Sequence, residues 1–307
     1  MSITALQVKE LRDATGVGMM DCKKALSETG GDMEAAVDWL RTRGLAKAAK
    51  KAGRVAAEGL VGIVITGTQG AIVEVNSETD FVARNDQFQS IVGNIAKLAL
   101  RAEGDVAVLA EMAYPDSGRS VSGELTDAIA KIGENMNLRR SAMLSVKDGI
   151  IGSYVHNAVK PGLGKLGVLV GLESTGNKDV LAGLGKQLSM HIANTNPQSV
   201  SPDDLDPEVV ARERAIFVEQ AKASGKPDNV VEKMVEGRVR KFYEEVTLLA
   251  QTFVIDGETK VADVIKAVEK DAGAPIRLTN FVRYALGEGI AKEETDFAAE
   301  VAATAGV

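Results

Sequence analysis

The sequence predicts an α+β protein: a small N-terminal helical module, a two-part core of antiparallel sheets with helices, an inserted helical hairpin and a C-terminal helix. Three observations carry this. The first 45 residues hold three short amphipathic segments punctuated by glycine. β-Branched runs then interleave with long amphipathic stretches. Two highly charged helical runs flank "SGKP", residues 224–227, where Gly225 and Pro227 stop a helix sharply.

"ITALQVKELRDAT" places Ile3, Leu6 and Leu11 on one helical face; "MDCKKALSET" follows the break at Gly16 and Gly18; "DMEAAVDWLRTR", entered through Gly30-Gly31-Asp32, turns Ala36, Val37 and Leu40 inward. The next run, "RGLAKAAKKAGRVAAEG", carries Arg43, Lys47, Lys50, Lys51 and Arg54 and reads as a solvated alanine-rich helix or linker, with a phosphate-facing patch as the alternative. "LVGIVITG", the turn "GTQG" and "AIVEVN" form a hairpin. "FVARNDQFQSIVGNIAKLALRA" and "GELTDAIAKIGENM" are amphipathic helices. "LRRSAMLSV", "GIIGSYVHN" and "LGVLVGLES" are strands, and "KDVLAGLGKQLSMHIAN" is again helical. After the charged hairpin, strand-like "LAQTFVI", a helix from Val261 to Lys270 and the strand "RLTNFVRYALGEG" return to the core, and the tail "KEETDFAAEVAATAG" is one acidic helix.

The 307 residues, 45% hydrophobic, suffice for several domains with real cores. One cysteine, Cys22, permits no intrachain disulfide, and with two histidines it makes no usual zinc site. No apolar run approaches the roughly 20 residues that span a bilayer, so a cytoplasmic, metal-free protein is expected. The net charge of −7 disfavours a general nucleic-acid binder and favours protein partners.

"GLGKLG", residues 162–167, matches a dinucleotide fingerprint, but Pro161 precedes it and a strand-like run follows, so it reads as a turn; a nucleotide-binding enzyme built on it is the alternative function. His191 reads as a packed helix residue, whereas His156, at a strand end, is freer to meet a partner. Met19 and Met20, beside Lys23, cannot both point into a small bundle, because helical neighbours stand about 100° apart. One is expected in the core and the other on a surface suited to an apolar helix rimmed with acids. In "NSETDFVARND", Ser77 and Thr79 are natural N-caps and Asp80 suits a first helical turn. Phe81 either packs beneath its helix or stands as a wedge at a strand-to-helix corner.

Taken together, "TGVGMMDCKKAL", "VNSETDFVARN", "KIGENMNLRR", "GSYVHN", "KMVEGRVRKF" and "TDFAAEVAA" resemble, in this order and over essentially the whole chain, the bacterial elongation factor Ts family. The resemblance implies a guanine-nucleotide exchange factor, not an enzyme and without cofactors, whose partner is elongation factor Tu, GDP-bound or nucleotide-free. No membrane or direct nucleic-acid partner is implied, and homodimerisation within a two-plus-two complex is left open. It further implies a ubiquitin-associated-like module with linker at 1–55, core subdomains at 56–145 and at 146–197 with 242–290, the hairpin at 198–241 and a terminal helix at 291–307. Thr79, Asp80, Phe81 and Val82 would then face the GTPase's Mg²⁺ and switch region. Ile132, Gly133 and His156 would face its phosphate loop, and Met19, Met20 and Lys23 would grip one of its helices.

Overall fold

The structure, a computed structural model, describes residues 3–15 and 17–291. The expected tail helix, with its second Thr-Asp-Phe, lies outside them. Helices α1 (Ala5–Thr15), α2 (Met19–Glu28) and α3 (Met33–Lys51) enclose a small core of Val8, Leu11, Cys22, Ala25, Leu26, Ala36 and Leu40. Leu6 and Val37, expected inward, are exposed. A three-helix bundle this small buries one narrow stripe per helix, and Val8 and Ala36 already occupy it. The basic run is no separate linker. It continues α3, capped at its start by the Asp32 carboxylate, which accepts from Ala35 N at 2.9 Å.

Strands β1 (Glu58–Thr66) and β2 (Gln69–Ser77) form the expected hairpin, paired from Glu58↔Ser77 to Thr66↔Gln69 around a two-residue turn. The expected continuous helix after β2 is broken: α4 (Asp80–Ala83) stops at Arg84, and α5 (Asp86–Arg101) restarts because the Asn85 side chain accepts from Gln87 N and Phe88 N. Beyond lie α6 (Val106–Glu111), α7 (Val121–Ile132), β3 (Met136–Ser145), β4 (Gly149–His156), β5 (Leu163–Gly164), β6 (Leu166–Glu173) and α8 (Lys178–Thr195). Two antiparallel sheets result, ordered β3-β2-β1-β5 and, with β7 (Arg277–Ala285), β4-β6-β7.

Strand alternation decides the layering. On β2, Ala71, Val73 and Val75 face α5 and α7, whereas Ile72 faces the second sheet. On β6, Val168, Val170 and Leu172 face α8 and α11 (Val261–Ala272), whereas Leu169 faces the first. The core is therefore helix–sheet–sheet–helix. The sheets approach so closely that a Cβ at Gly167 would meet Val61 Cγ1 at 2.8 Å.

Helices α9 (Pro207–Lys222) and α10 (Asp228–Val246) make the hairpin, held by Ala221, Val231 and Val235 and by Phe217 edge-on to Phe242. "LAQTFVI" is not a strand. Leu248–Ala250 form a 3₁₀ turn and Gln251 is buried, its Oε1 accepting from His191 Nε2 at 2.9 Å and from Thr195 Oγ1 at 3.0 Å. A side chain that ties α8 to the hairpin root in this way needs a loop, not a ladder.

His191 Nδ1 accepts from Val254 N at 3.2 Å, so the ring is neutral with its proton on Nε2. Burial pushes its pKa down, partly offset by Gln251. The folded chain thus binds fewer protons than the unfolded one below about pH 6.5. Stability contributed here is present above that pH and is lost as pH falls toward the depressed folded value. The wild-type urea midpoint is expected to drop between pH 7 and 5, with a smaller drop in His191→Gln.

Candidate functional site

At the end of β2 the chain turns through Glu78 and Thr79 into α4. Thr79 occupies the N-cap position, but its side chain makes no cap bond. Instead Thr79 N donates to Glu134 Oε2 at 2.9 Å and Thr79 Oγ1 donates to Glu134 Oε1 at 2.7 Å. Ser77 likewise is no cap; its hydroxyl donates to Thr79 O. In return Glu78 Oε1, from the corner, accepts Asn135 N at 2.6 Å, and Glu78 Oε2 pairs with Arg54 at 3.3 Å. Two carboxylates thus clasp each other's backbones across the gap between the corner and the 132–135 turn.

The clasp is braced from α3. Asn135 Nδ2 donates to Arg54 O at 2.8 Å, and Lys51 Nζ donates to Gly133 O. Gly133 closes α7 at φ +91°, a left-handed conformation that a side chain would strain. Ile132 is half-buried against the core between the first sheet and its helices α5 and α7.

Within α4, Val82 (4% exposed) and Ala83 sink into the core. Phe81 is 73% exposed. The packed alternative for Phe81 is therefore overturned: two anchors hold the turn from beneath and the ring projects into solvent. Asp80 reaches Arg84 at 3.4 Å, an exposed pair that contributes little and is readily exchanged for another cation. By contrast Phe88, on the core face of α5, is fully buried.

His156 ends β4, exposed, its Nδ1 2.9 Å from Tyr154 Oη. The loop after it crosses from the second sheet to the first, where Ile63 N donates to Gly162 O. Lys160 Nζ meets Asp86 Oδ1 at 2.6 Å, which brings this loop to the start of α5, directly after the corner. "GLGKLG" lies here as the short β5 running into β6, so no helix N-terminus follows it.

On the N-terminal module Met19 (57% exposed) and Met20 (76%) both face solvent, with Lys23 exposed one turn on. The expectation that one methionine fills the bundle core fails because Cys22, Ala25 and Leu26 fill it. The basic run is largely committed: Lys47 pairs with Asp21 at 2.7 Å, Lys51 binds Gly133 O and Arg54 binds Glu78. Of the five cations in the phosphate-facing alternative, Arg43, stacked on Trp39, and Lys50 remain exposed and without an ion-pair partner among the described residues. Among the described residues, no group of three or more His, Cys, Asp and Glu is placed to hold a metal, and no helix is long and apolar enough to cross a membrane.

The structure therefore brings the Thr79–Val82 corner and the Ile132–Gly133 turn into one hydrogen-bonded unit, sets the His156 loop beside it, and joins α3 of the methionine-bearing module to its back. Glu134, Glu78 and Asn135 were not singled out by sequence. "KIGENMN" is visible as a block, but no spacing shows that it meets a segment more than 50 residues earlier.

Comparison with known proteins follows the same lines. The family profile described as "Elongation factor TS" matches residues 78–288. The chain belongs to the elongation factor Ts family. A curated "Elongation factor Ts" of Parvibaculum lavamentivorans is 62% identical over 303 residues, covering 99% of this chain and 98% of that relative. Another, of Rhizobium leguminosarum bv. trifolii, is 62% identical with 98% of both chains covered, and one of Rhizobium meliloti is 59% identical with 99% of both covered. The profile match begins at Glu78, the first residue of the corner, and so excludes the helical module; the full-length relatives include it.

Proposed function

We propose that this chain is a guanine-nucleotide exchange factor that binds elongation factor Tu·GDP in the cytoplasm, displaces Mg²⁺ and GDP, and lets GTP rebind during translation elongation. Such a factor makes and breaks no covalent bond. It works by differential binding: whatever holds the empty GTPase more tightly than the GDP-bound form weakens GDP by the same factor.

One observation carries the reading, the exposed Phe81 ring on a corner anchored by Val82 and clasped by Glu134. In this reading the ring wedges into the GTPase switch region while Asp80, released from Arg84, acts on the water shell of the hard Mg²⁺ ion. Val82 and Thr79 serve from beneath and behind. Ile132, Gly133 and His156 press on the phosphate-cradling loop from a second side, and Met19, Met20 and Lys23 supply affinity independent of nucleotide. The module at 1–55, the core parts 56–145 and 146–197 with 242–290, and the hairpin at 198–241 are the working units. The test is release of a fluorescent GDP from elongation factor Tu with and without the chain; no acceleration overturns the reading.

Met20→Ala is expected to weaken the complex with nucleotide-free elongation factor Tu by about tenfold, the scale of one buried thioether side chain, while the release rate at saturation stays close to wild type. Titration calorimetry reads the first quantity and stopped-flow fluorescence the second. An unchanged dissociation constant removes Met20 from the interface.

A further inference from the structure

The geometry points to Glu134 as a positioning residue for the exchange reaction, acting on Phe81 through Thr79; this rests on the exchange reading above. A helix as short as α4 has no persistence of its own, because helix nucleation is unfavourable until tertiary contacts stabilise it. Val82 and Ala83 fix how deeply the turn sits. Gln89 Nε2, donating to Ala83 O at 2.9 Å, ties down the end of the turn, while its start is held from the strand by the single bond of the Ser77 hydroxyl to Thr79 O, which leaves Thr79 free to pivot.

Glu134 closes that freedom. Its two oxygens take the two donors of one residue, Thr79 N and Thr79 Oγ1, at 2.9 and 2.7 Å, so both the position and the tilt of the residue before Asp80-Phe81 are set. The reverse bond, from Asn135 N to Glu78 Oε1, prevents the 132–135 turn from sliding along the corner. Lys51 on Gly133 O and Asn135 Nδ2 on Arg54 O then fasten the turn to the end of α3. Corner, turn and module helix become one body, and force on Phe81 from a resisting partner is carried into the core instead of being absorbed by local bending. A wedge needs this stiffness; a surface that merely adheres does not.

The experiment is a double-mutant cycle on the full chain, read as the maximal rate of GDP release from elongation factor Tu and the factor concentration giving half of it. Glu134→Ala is expected to lower the maximal rate roughly tenfold, the scale of a hydrogen bond to a charged group, with the half-saturating concentration little changed. Glu134→Gln, which keeps one accepting oxygen, recovers part of the rate. In a Phe81→Ala background Glu134→Ala has a much smaller further effect, the part carried through Asp80, because the ring it positions is gone.

Reductions that multiply in the double variant, or an unchanged rate in Glu134→Ala, overturn the positioning role. Should Glu134→Ala not fold, Thr79→Val, which removes only the hydroxyl donor, takes its place in the same cycle with the same criteria. A wild-type chain that leaves GDP release unaccelerated sinks the exchange reading itself and this role with it. Acceleration by the wild type combined with a multiplicative cycle sinks the positioning role alone.

Discussion

Phe81→Ala is expected to lower the maximal rate of stimulated GDP release roughly 10- to 100-fold, since burying a whole phenylalanine side chain is worth about 1.5–3 kcal/mol and each 1.4 kcal/mol is tenfold. The direction follows from where the ring starts. At 73% exposed it loses little intramolecular packing on truncation, so the variant's melting temperature stays close to wild type. The loss falls on whichever partner state accepts the ring. If that is the distorted, GDP-poor state, release slows more than initial encounter with the GDP-bound form weakens, because affinity spread equally over both states changes no equilibrium between them. Stopped-flow release and equilibrium binding to the GDP-bound and empty GTPase separate the cases. An equal loss in all three marks Phe81 as a sticking point, not a wedge.

Much of the architecture was legible because the central strands of both sheets, β2 and β6, are buried on both faces. "LVGIVITG" is apolar in both parities, which is what a strand lying between helices and a second sheet requires, whereas "AIVEVN" is apolar only in the parity of Ala71, Val73 and Val75 and carries Glu74 and Asn76 with Ile72 in the other. The exposed corner was half legible. Phe81 and Phe88 lie seven residues apart in one sequence block, and periodicity alone would place both inward. The break at Asn85, created by side-chain capping, turns one outward and the other inward. Leu6, Val37 and one of the paired methionines were misassigned for a common reason: in a bundle this small, Cys22, three leucines and three alanine- or valine-sized residues already fill the interior, a volume constraint that no single helix displays. "LAQTFVI" has strand composition, yet the buried His191 fixes Gln251 and Val254 through side-chain bonds that override it. The Glu134–Thr79 clasp was illegible because it joins residues 55 apart by chemistry common to many exposed carboxylates.

Glu74→Gln is expected to destabilise the fold by about 3–5 kcal/mol, the scale of breaking a buried ion pair by removing one partner. Glu74 stands on β2 with no exposed surface and on the face that meets the second sheet. A bulge between β2 and β3 makes this possible: Glu74 pairs with Arg140 and Val75 with Leu138, leaving Arg139 extra, so two consecutive arginines turn toward one carboxylate. Arg140 Nε donates at 2.5 Å, Arg139 Nη1 at 3.1 Å, Asn76 Nδ2 at 3.0 Å and Gly287 N at 2.8 Å. Arg140 also lies over the Tyr284 ring, 4.1 Å from its centroid, and donates to Ala285 O. The cluster thus ties the first sheet to the end of β7, the last strand of the second. Burial opposes ionisation of Glu74, but the Gly287, Asn76 and Arg140 donors outweigh it and hold the carboxyl below its ordinary range. A depressed carboxylate pKa contributes stability that is present above the unfolded value near 4.3 and is lost as pH falls through the folded value. The gap between wild type and Glu74→Gln in urea midpoint should therefore be widest at neutral pH and should close in acid. A gap that is small at pH 7, or one that persists unchanged below pH 3, would show that the two sheets are held by the Val61–Ile72–Leu169 layer alone, with the buried charge a passenger.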